Sequence, residues 1–351
     1  WDFIGDSFEA KGIDRATLDQ AATDFIGMDA DACFEAGLVD ALGYKEDVMN
    51  YFEDRYSLLH YADYAAQIPP VKATDRIAII YANGSIGNGK GDESTIGTEN
   101  IVKALRKADK NKRVKAIVLR VNSPGGSALT SDIIHHTIAD IEKPLIVSQA
   151  NYAASGGYYI SCNADAIFTN STTITGSIGI FMSLFTAEEL MTQTLGLNVE
   201  EVQTHPMANF PNLAKHPDEA QYAILQRMID RGYADFTGKV AEGRSMDMDY
   251  LLPLCGGRVW TGDDAVDNGL ADLEGNLSDA IAYAAKEAGI ESYKLYELPT
   301  VEDGLEKYLK SLGAAKAESL PFLDHPAVQE LEFLATNPGL QARLNPIFLE
   351  L

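Results

Sequence analysis

A serine hydroxyl acts as a nucleophile when a base takes its proton and fixed N–H groups receive the charge that develops on the attacked carbonyl. Two short stretches hold parts of that machinery. In AASGGYY (153–159), Ser155 lies between two alanines and two glycines, just after an apolar run with strand character. At a strand-to-helix turn its hydroxyl sits at a helix N-terminus, where the dipole favours developing negative charge, and the Gly156 N–H is a candidate oxyanion donor. In NSPGGSA (122–128), Gly125 and Gly126 follow Pro124, and two glycines free the backbone to aim N–H groups at one spot. Each stretch alone also fits ordinary packing: the first as a small-residue helix or a plain N-cap, the second as a tight turn. One helix and one strand separate them, so they fall in adjacent loops, and together they favour catalysis.

The serine needs a base. The chain has six histidines: His60, His135, His136, His205, His216 and His325. His135 and His136 fall mid-helix between the two turns, with one of them facing solvent. His205 and His216 lie in the proline-flanked stretch THPMANFPNLAKHP, where a loop histidine is more often surface than catalytic. A desolvated lysine can serve instead, and Lys215 is the only lysine in that stretch. The segment TTITGSIGIF (172–181) reads either as an extended strand that pairs with a peptide by strand addition or as a core strand with a bulge. Ser123, Thr175, Gly176, Ser177, Ile178 and Gly179 are the candidate substrate contacts. Cys33, Cys162 and Cys255 are widely spaced, with no CxxC or metal-ligand pattern, so neither a metal nor a cofactor is expected. Cys162 reads as a small buried residue.

The elements that must hold these turns follow from the hydrophobic pattern. Apolar runs at 77–82, 114–123, 144–151 and 165–170 alternate with helical segments at roughly 30-residue spacing. That is the βαβ pattern of a mostly parallel sheet with helices outside it, an α/β fold. Functional loops of such sheets lie beyond the carboxyl ends of the strands, and both glycine-bearing turns follow a strand. The stretch NGSIGNGKGDESTIGTEN after the first strand reads as a mobile glycine-rich loop, and 216–244 as one long amphipathic helix.

Hydrophobic residues make up 46% of 351, enough for a sizeable core. Lys and Arg total 28 against 52 Asp and Glu, a net charge of −24, which argues against nucleic acid as a partner. No apolar run is long enough to cross a bilayer. The chain starts at Trp1 with no leader pattern, and reads as a processed or partial product.

Residues 31–48, DACFEAGLVDALGYKEDV, align with 263–280, DDAVDNGLADLEGNLSDA, at a constant offset of 232. Asp31, Gly37, Leu38, Asp40, Gly43 and Asp47 match Asp263, Gly269, Leu270, Asp272, Gly275 and Asp279. Six ungapped matches in 18 positions point to an internal repeat. The expected organisation is 1–55 as the tail of a first copy, 56–74 as a linker, 75–290 as the second copy with Ser155, and 291–351 as a helical extension suited to an oligomer contact.

At VKAIVLRVNSPGGSA, AASGGYYIS, TGSIGIF and GRVWTGDDAVDNGLAD, in that order and spacing, the chain resembles the signal peptide peptidase (SppA, protease IV) family, which has the ClpP/crotonase-like fold. The resemblance covers roughly 75–290. It implies a serine endopeptidase with Ser155 as nucleophile and N–H groups around Gly125, Gly126 and Gly156 as oxyanion donors. It implies a Ser–Lys dyad rather than a triad. In the short form of the family the lysine follows TGSIG, but here no lysine stands near Pro206 and Met207. In the long form two copies are fused and the first supplies the lysine. The repeat assigns this chain to the long form, with its general base before Trp1, Lys215 as the fallback, and little activity alone. The resemblance further implies signal peptides with small and apolar side chains as substrates. It also implies a homo-oligomeric ring or bowl, and the bacterial cytoplasmic membrane as location, with the catalytic domains on the periplasmic side and an anchor absent from this chain. Three other readings compete. A ClpP-like Ser-His-Asp protease needs a histidine where Ile180 stands. A crotonase acting on acyl-CoA needs a basic cluster near the turns. A non-catalytic ring scaffold needs neither.

Overall fold

The computed structural model describes residues 1–92, 94–299 and, as backbone, 341–343. The chain divides into two compact units, Trp1–Val71 and Lys72–Leu351. The first holds helices α1 (Asp2–Glu9), α2 (Arg15–Thr23), α3 (Ala30–Glu35), α4 (Lys45–Glu53) and α5 (Tyr61–Gln67), and no strand.

The second unit is built on β1 (Arg76–Asn83), β4 (Val114–Ser123) and β6 (Leu145–Ala154), which alternate with α6 (Thr98–Lys110) and α7 (Ala128–Ala139). Between β1 and α6 lie β2 (Ser85–Gly87) and β3 (Thr95–Gly97), and β5 (Gly125–Ser127) opens α7. After β6 come α8 (Gly156–Tyr159), β7 (Ala166–Thr169), β8 (Ile174–Gly176), α9 (Glu219–Gly243), α10 (Met248–Leu251), β9 (Val259–Thr261), α11 (Gly262–Asp267), β10 (Leu273–Glu274), α12 (Leu277–Glu287), β11 (Lys294–Leu298) and β12 (Gln341–Arg343). The main sheet runs β10-β7-β6-β4-β1-β11 with every neighbouring pair parallel. The fold is therefore the expected α/β architecture with a mostly parallel sheet.

Strand periodicity sorts the core. Ile77, Ile79, Val118 and Ile146 face α12, whose Ala280 and Ala284 pack against them. Ile80, Ile117, Leu119 and Val147 face the opposite layer of α6, α7, α8 and α9. Burial on both faces explains why these strands read as unbroken apolar runs.

Three expectations change. The glycine-rich stretch is not a featureless loop: β2 and β3 pair with each other, and β2 pairs with β5. The helical extension placed at 291–351 begins as a strand. In KLYEL the exposed Glu297 stands between half-buried Tyr296 and buried Leu298, and β11 adds parallel to β1 at the sheet edge. Residues 341–343 are also strand, antiparallel to β5. The rest of that extension, His325 included, lies outside the described residues. Among the described residues no helix is long and apolar enough to cross a membrane.

Candidate active site

Both glycine-bearing turns lie at the carboxyl ends of neighbouring parallel strands, β4 and β6. They touch. A Cβ built on Gly157 would stand 2.7 Å from the Ser123 carbonyl oxygen, so the helix that starts after Ser155 abuts the SPGG turn.

Ser155 joins β6 to α8 with φ 53° and ψ −115°, a conformation that costs a non-glycine residue of order 1–3 kcal/mol. The surroundings impose it from both sides. Its N–H donates to the Gly176 carbonyl at 2.8 Å, and its carbonyl accepts the Tyr159 N–H at 2.8 Å. The residue is 1% exposed, and its Oγ is buried with no hydrogen-bond partner. A buried hydroxyl without a partner is expensive and needs a reason. Gly156, the first residue of α8, has an N–H with no intrahelical acceptor, on the same turn as that hydroxyl.

The SPGG turn is held differently. Gly125 and Gly126 have φ 101° and 154°. A Cβ on Gly126 would meet the Ile86 carbonyl oxygen at 2.0 Å, so β2 crosses where only glycine fits. The Gly125 N–H donates to Ser123 Oγ at 3.1 Å, so this expected oxyanion donor is engaged within its own turn. Gly126 stands in the ladder opposite Ile86 and Ala342.

The TGSIG segment braces the nucleophile. Thr175 Oγ1 donates to the Ala153 carbonyl at 2.9 Å. β8 pairs with β6 on one side and antiparallel with β9 on the other, so its edge is closed. The Ser177 N–H donates to the Arg258 carbonyl at 2.7 Å, and the Ile178 carbonyl accepts the Gly257 N–H at 3.0 Å. A Cβ on Gly176 would meet Trp260, and one on Gly179 would meet Gly257. Strand addition at Ile174–Gly176 is therefore excluded by the chain's own β9. VWT of the stretch GRVWTGDDAVDNGLAD is β9, the strand that closes this edge.

Ser155 Oγ has no hydrogen-bond partner among the described residues. Lys215 pairs with Glu201 at 2.7 Å instead. His205, His216 and His136 are exposed. His135 is buried against Tyr159, ring centroids 5.7 Å apart, and both ring nitrogens lack partners. Burial first, then Lys239, pushes its pKa down to about 4, so it stays neutral. Cys162 and Cys255 are buried thiols pushed up by desolvation to about 12 and about 11, which leaves them inert near neutrality. The structure adds residues that the motifs did not single out. The Tyr159 hydroxyl donates to Asp132 Oδ1 at 3.1 Å, and Lys239 Nζ lies 3.1 Å from the same oxygen. The cluster links α7, α8 and α9 beside the nucleophile; Tyr159 alone had a motif signal, as the last residue of AASGGYY.

The model of peptidase family S49 matches residues 137–291, and the Clp protease model matches residues 73–174, from just before β1 into β8. Protease 4 of Salmonella typhi is 35% identical over 308 residues, 86% of this chain and 48% of that protein. The chloroplastic serine protease SPPA of Arabidopsis thaliana is 34% identical over 338 residues, 90% of this chain and 49% of its own. A relative from Synechocystis sp. is 32% identical over 238 residues, 67% of this chain and 82% of its own length. The chain thus spans about half the length of the first two.

Proposed function

The chain belongs to peptidase family S49, and from that premise we propose that it is the nucleophile-bearing half of a serine endopeptidase with a Ser–Lys dyad. Ser155 Oγ attacks the scissile carbonyl carbon and gives its proton to a lysine amine. The oxyanion is held by the Gly156 N–H and by an N–H of the 125–126 turn, once the turn frees one for it. Collapse expels the leaving amine, which takes the proton, and water then hydrolyses the acyl-serine by the same relay. The observation that carries this reading is the Oγ of Ser155, buried, unpartnered and on a strained strand-to-helix turn.

The base is proposed to come from an earlier copy of the domain. The support is the repeat at offset 232 and the coverage of about half in the longer relatives. Residues 1–55 are then the end of that copy, 56–74 the linker, and the second copy starts near 75 and continues through β11. Signal peptides with small, apolar side chains, a homo-oligomeric ring and an extracytoplasmic, membrane-linked location belong to the same proposal.

A fluorophosphonate probe tests it. This chain alone is expected to label slowly at Ser155. A protein carrying both copies should label roughly 10²–10⁴-fold faster, the usual worth of a general base. Modification mapped to another residue, or peptidase activity surviving Ser155→Ala in the two-copy protein, would remove the assignment.

A further inference from the structure

A cavity of about 720 Å³ opens between α7, α8 and α9. Each chain segment of the site contributes to its wall. Ser127 follows Gly126, Ile180 follows Gly179, and Tyr159 bonds the Ser155 carbonyl through its N–H. The reaction described above uses none of this space.

The chain's own β12 tells how an extended peptide lies beside it. β12 runs antiparallel to β5, with Arg343 opposite Gly125, Ala342 opposite Gly126 and Gln341 opposite Ser127. Directly opposed residues of an antiparallel pair project to the same face. A peptide residue opposite Ser127 therefore sends its side chain to the face on which Ser127 lines the cavity. That residue lies two positions N-terminal to the one opposite Gly125.

The lining has a definite chemistry. Leu129, Met228 and Ile180 offer apolar surface. Three carboxylates, Asp132, Asp235 and Glu242, face the cavity against one ammonium, Lys239. Lys239 is spent on Asp132 at 3.1 Å, and among the described residues Asp235 pairs with an exposed Arg231 at 3.9 Å. An aliphatic stem ending in a positive charge suits such a wall.

We propose that this cavity is a substrate side-chain pocket that takes a long side chain ending in a cation, from the peptide residue opposite Ser127. The identity of the ligand as a peptide rests on the peptidase reading.

The test uses the full chain carrying Ser155→Ala, so that bound peptide is not consumed. Fluorescein-labelled octapeptides of alanine and serine carry one Lys, Leu or Glu, walked through the positions. Displacement of β12 is common to all of them and cancels from their ratios. Anisotropy should give a lysine peptide roughly five- to tenfold tighter than the glutamate peptide at one position only, as expected for about 1 kcal/mol of partly screened charge. The double variant Asp235→Asn, Glu242→Gln should reduce that ratio to about twofold or less. A ratio equal at all positions would mean only general attraction to an acidic chain and would overturn the pocket. So would a ratio that survives the double variant, or no binding of any peptide. Fluorophosphonate labelling of the two-copy protein, in which Ser155 has its proposed base, separates the two claims. A missing Ser155 adduct alongside a position-specific lysine ratio removes the peptidase and keeps the pocket.

Discussion

α3 starts at Ala30 and α11 at Gly262; α4 starts at Lys45 and α12 at Leu277. Both separations equal the offset of 232 that relates the sequences. The local devices repeat too. Gly37 and Gly269 end the first helix of each pair at φ 70° and 81°, where glycine carries no Cβ penalty. The surroundings do not repeat. In α12, Ala280, Ile281 and Ala284 are buried against the sheet, whereas their counterparts Val48, Met49 and Phe52 in α4 are exposed. The residues 1–71 contain no strand for that face to meet. Helix boundaries and turns are thus written in the nearest few residues. The energetic worth of the same side chain is set by what the rest of the chain brings to it.

That contrast predicts where equivalent substitutions diverge. The largest split is expected at the paired leucines. Leu270 is fully buried in the main core, and Leu270→Ala should cost about 2–5 kcal/mol through lost burial and a residual cavity. Leu38 is only half-buried, and Leu38→Ala should cost less than about 1 kcal/mol. Urea midpoints of each unit, read by hydrogen exchange, measure both. Equal costs would mean that residues 1–71 bury Leu38 as fully as the sheet buries Leu270.

A smaller split is expected at the paired aspartates. Asp272 accepts the Ile167 N–H at 2.7 Å and binds Arg244, whose side chain is 8% exposed. Asp272→Asn leaves that guanidinium buried without its counter-charge, at a cost of about 3 kcal/mol. Asp40 is exposed, and Asp40→Asn should fall within about 0.5 kcal/mol. The same exchange measurement checks it, with loss of protection expected at β7. An unaffected β7 would show that Arg244 finds another partner.

The same division explains what the sequence disclosed. Four apolar runs flanked by helical periodicity were enough for the parallel sheet, because strands buried on both faces leave long uninterrupted signatures. Ser155 stood out only together with the SPGG turn one helix and one strand earlier, since its small neighbours alone also fit a packed helix or an N-cap. β2, β3 and β9 were not, since each spans three residues, too short for any period to register. Gly126 was legible as a glycine that mattered but not for all its reasons. The carbonyl of Ile86, which excludes a side chain there, comes from a different part of the chain. The Asp132–Tyr159–Lys239 cluster was invisible for the same cause. Three helices far apart in sequence bring it together, and none of the three residues has a local motif that demands the other two.

The smallest effect is the one that should not split at all. The Tyr44 N–H donates to Asp47 Oδ2 at 2.8 Å, and the Asn276 N–H donates to Asp279 Oδ2 at 2.8 Å. Each aspartate reaches back from the third position of its helix to satisfy a donor that the helix cannot. Neither bond involves another element, so removing it should not register whether a sheet lies beneath. Asp47→Ala and Asp279→Ala should each cost about 0.5–1 kcal/mol. Hydrogen exchange at the first turns of α4 and α12 compares them directly. One difference in the caps sharpens the test. Asn276 also accepts from the N–H groups of Ser278 and Asp279, while Tyr44 supplies no side-chain cap. If the aspartate bond is the only local anchor of α4, its loss should fray that first turn slightly more than the first turn of α12. A much larger loss at α12 would instead mean that Asp279 holds a contact with the sheet, and the separation of local plan from tertiary worth would fail at its simplest point.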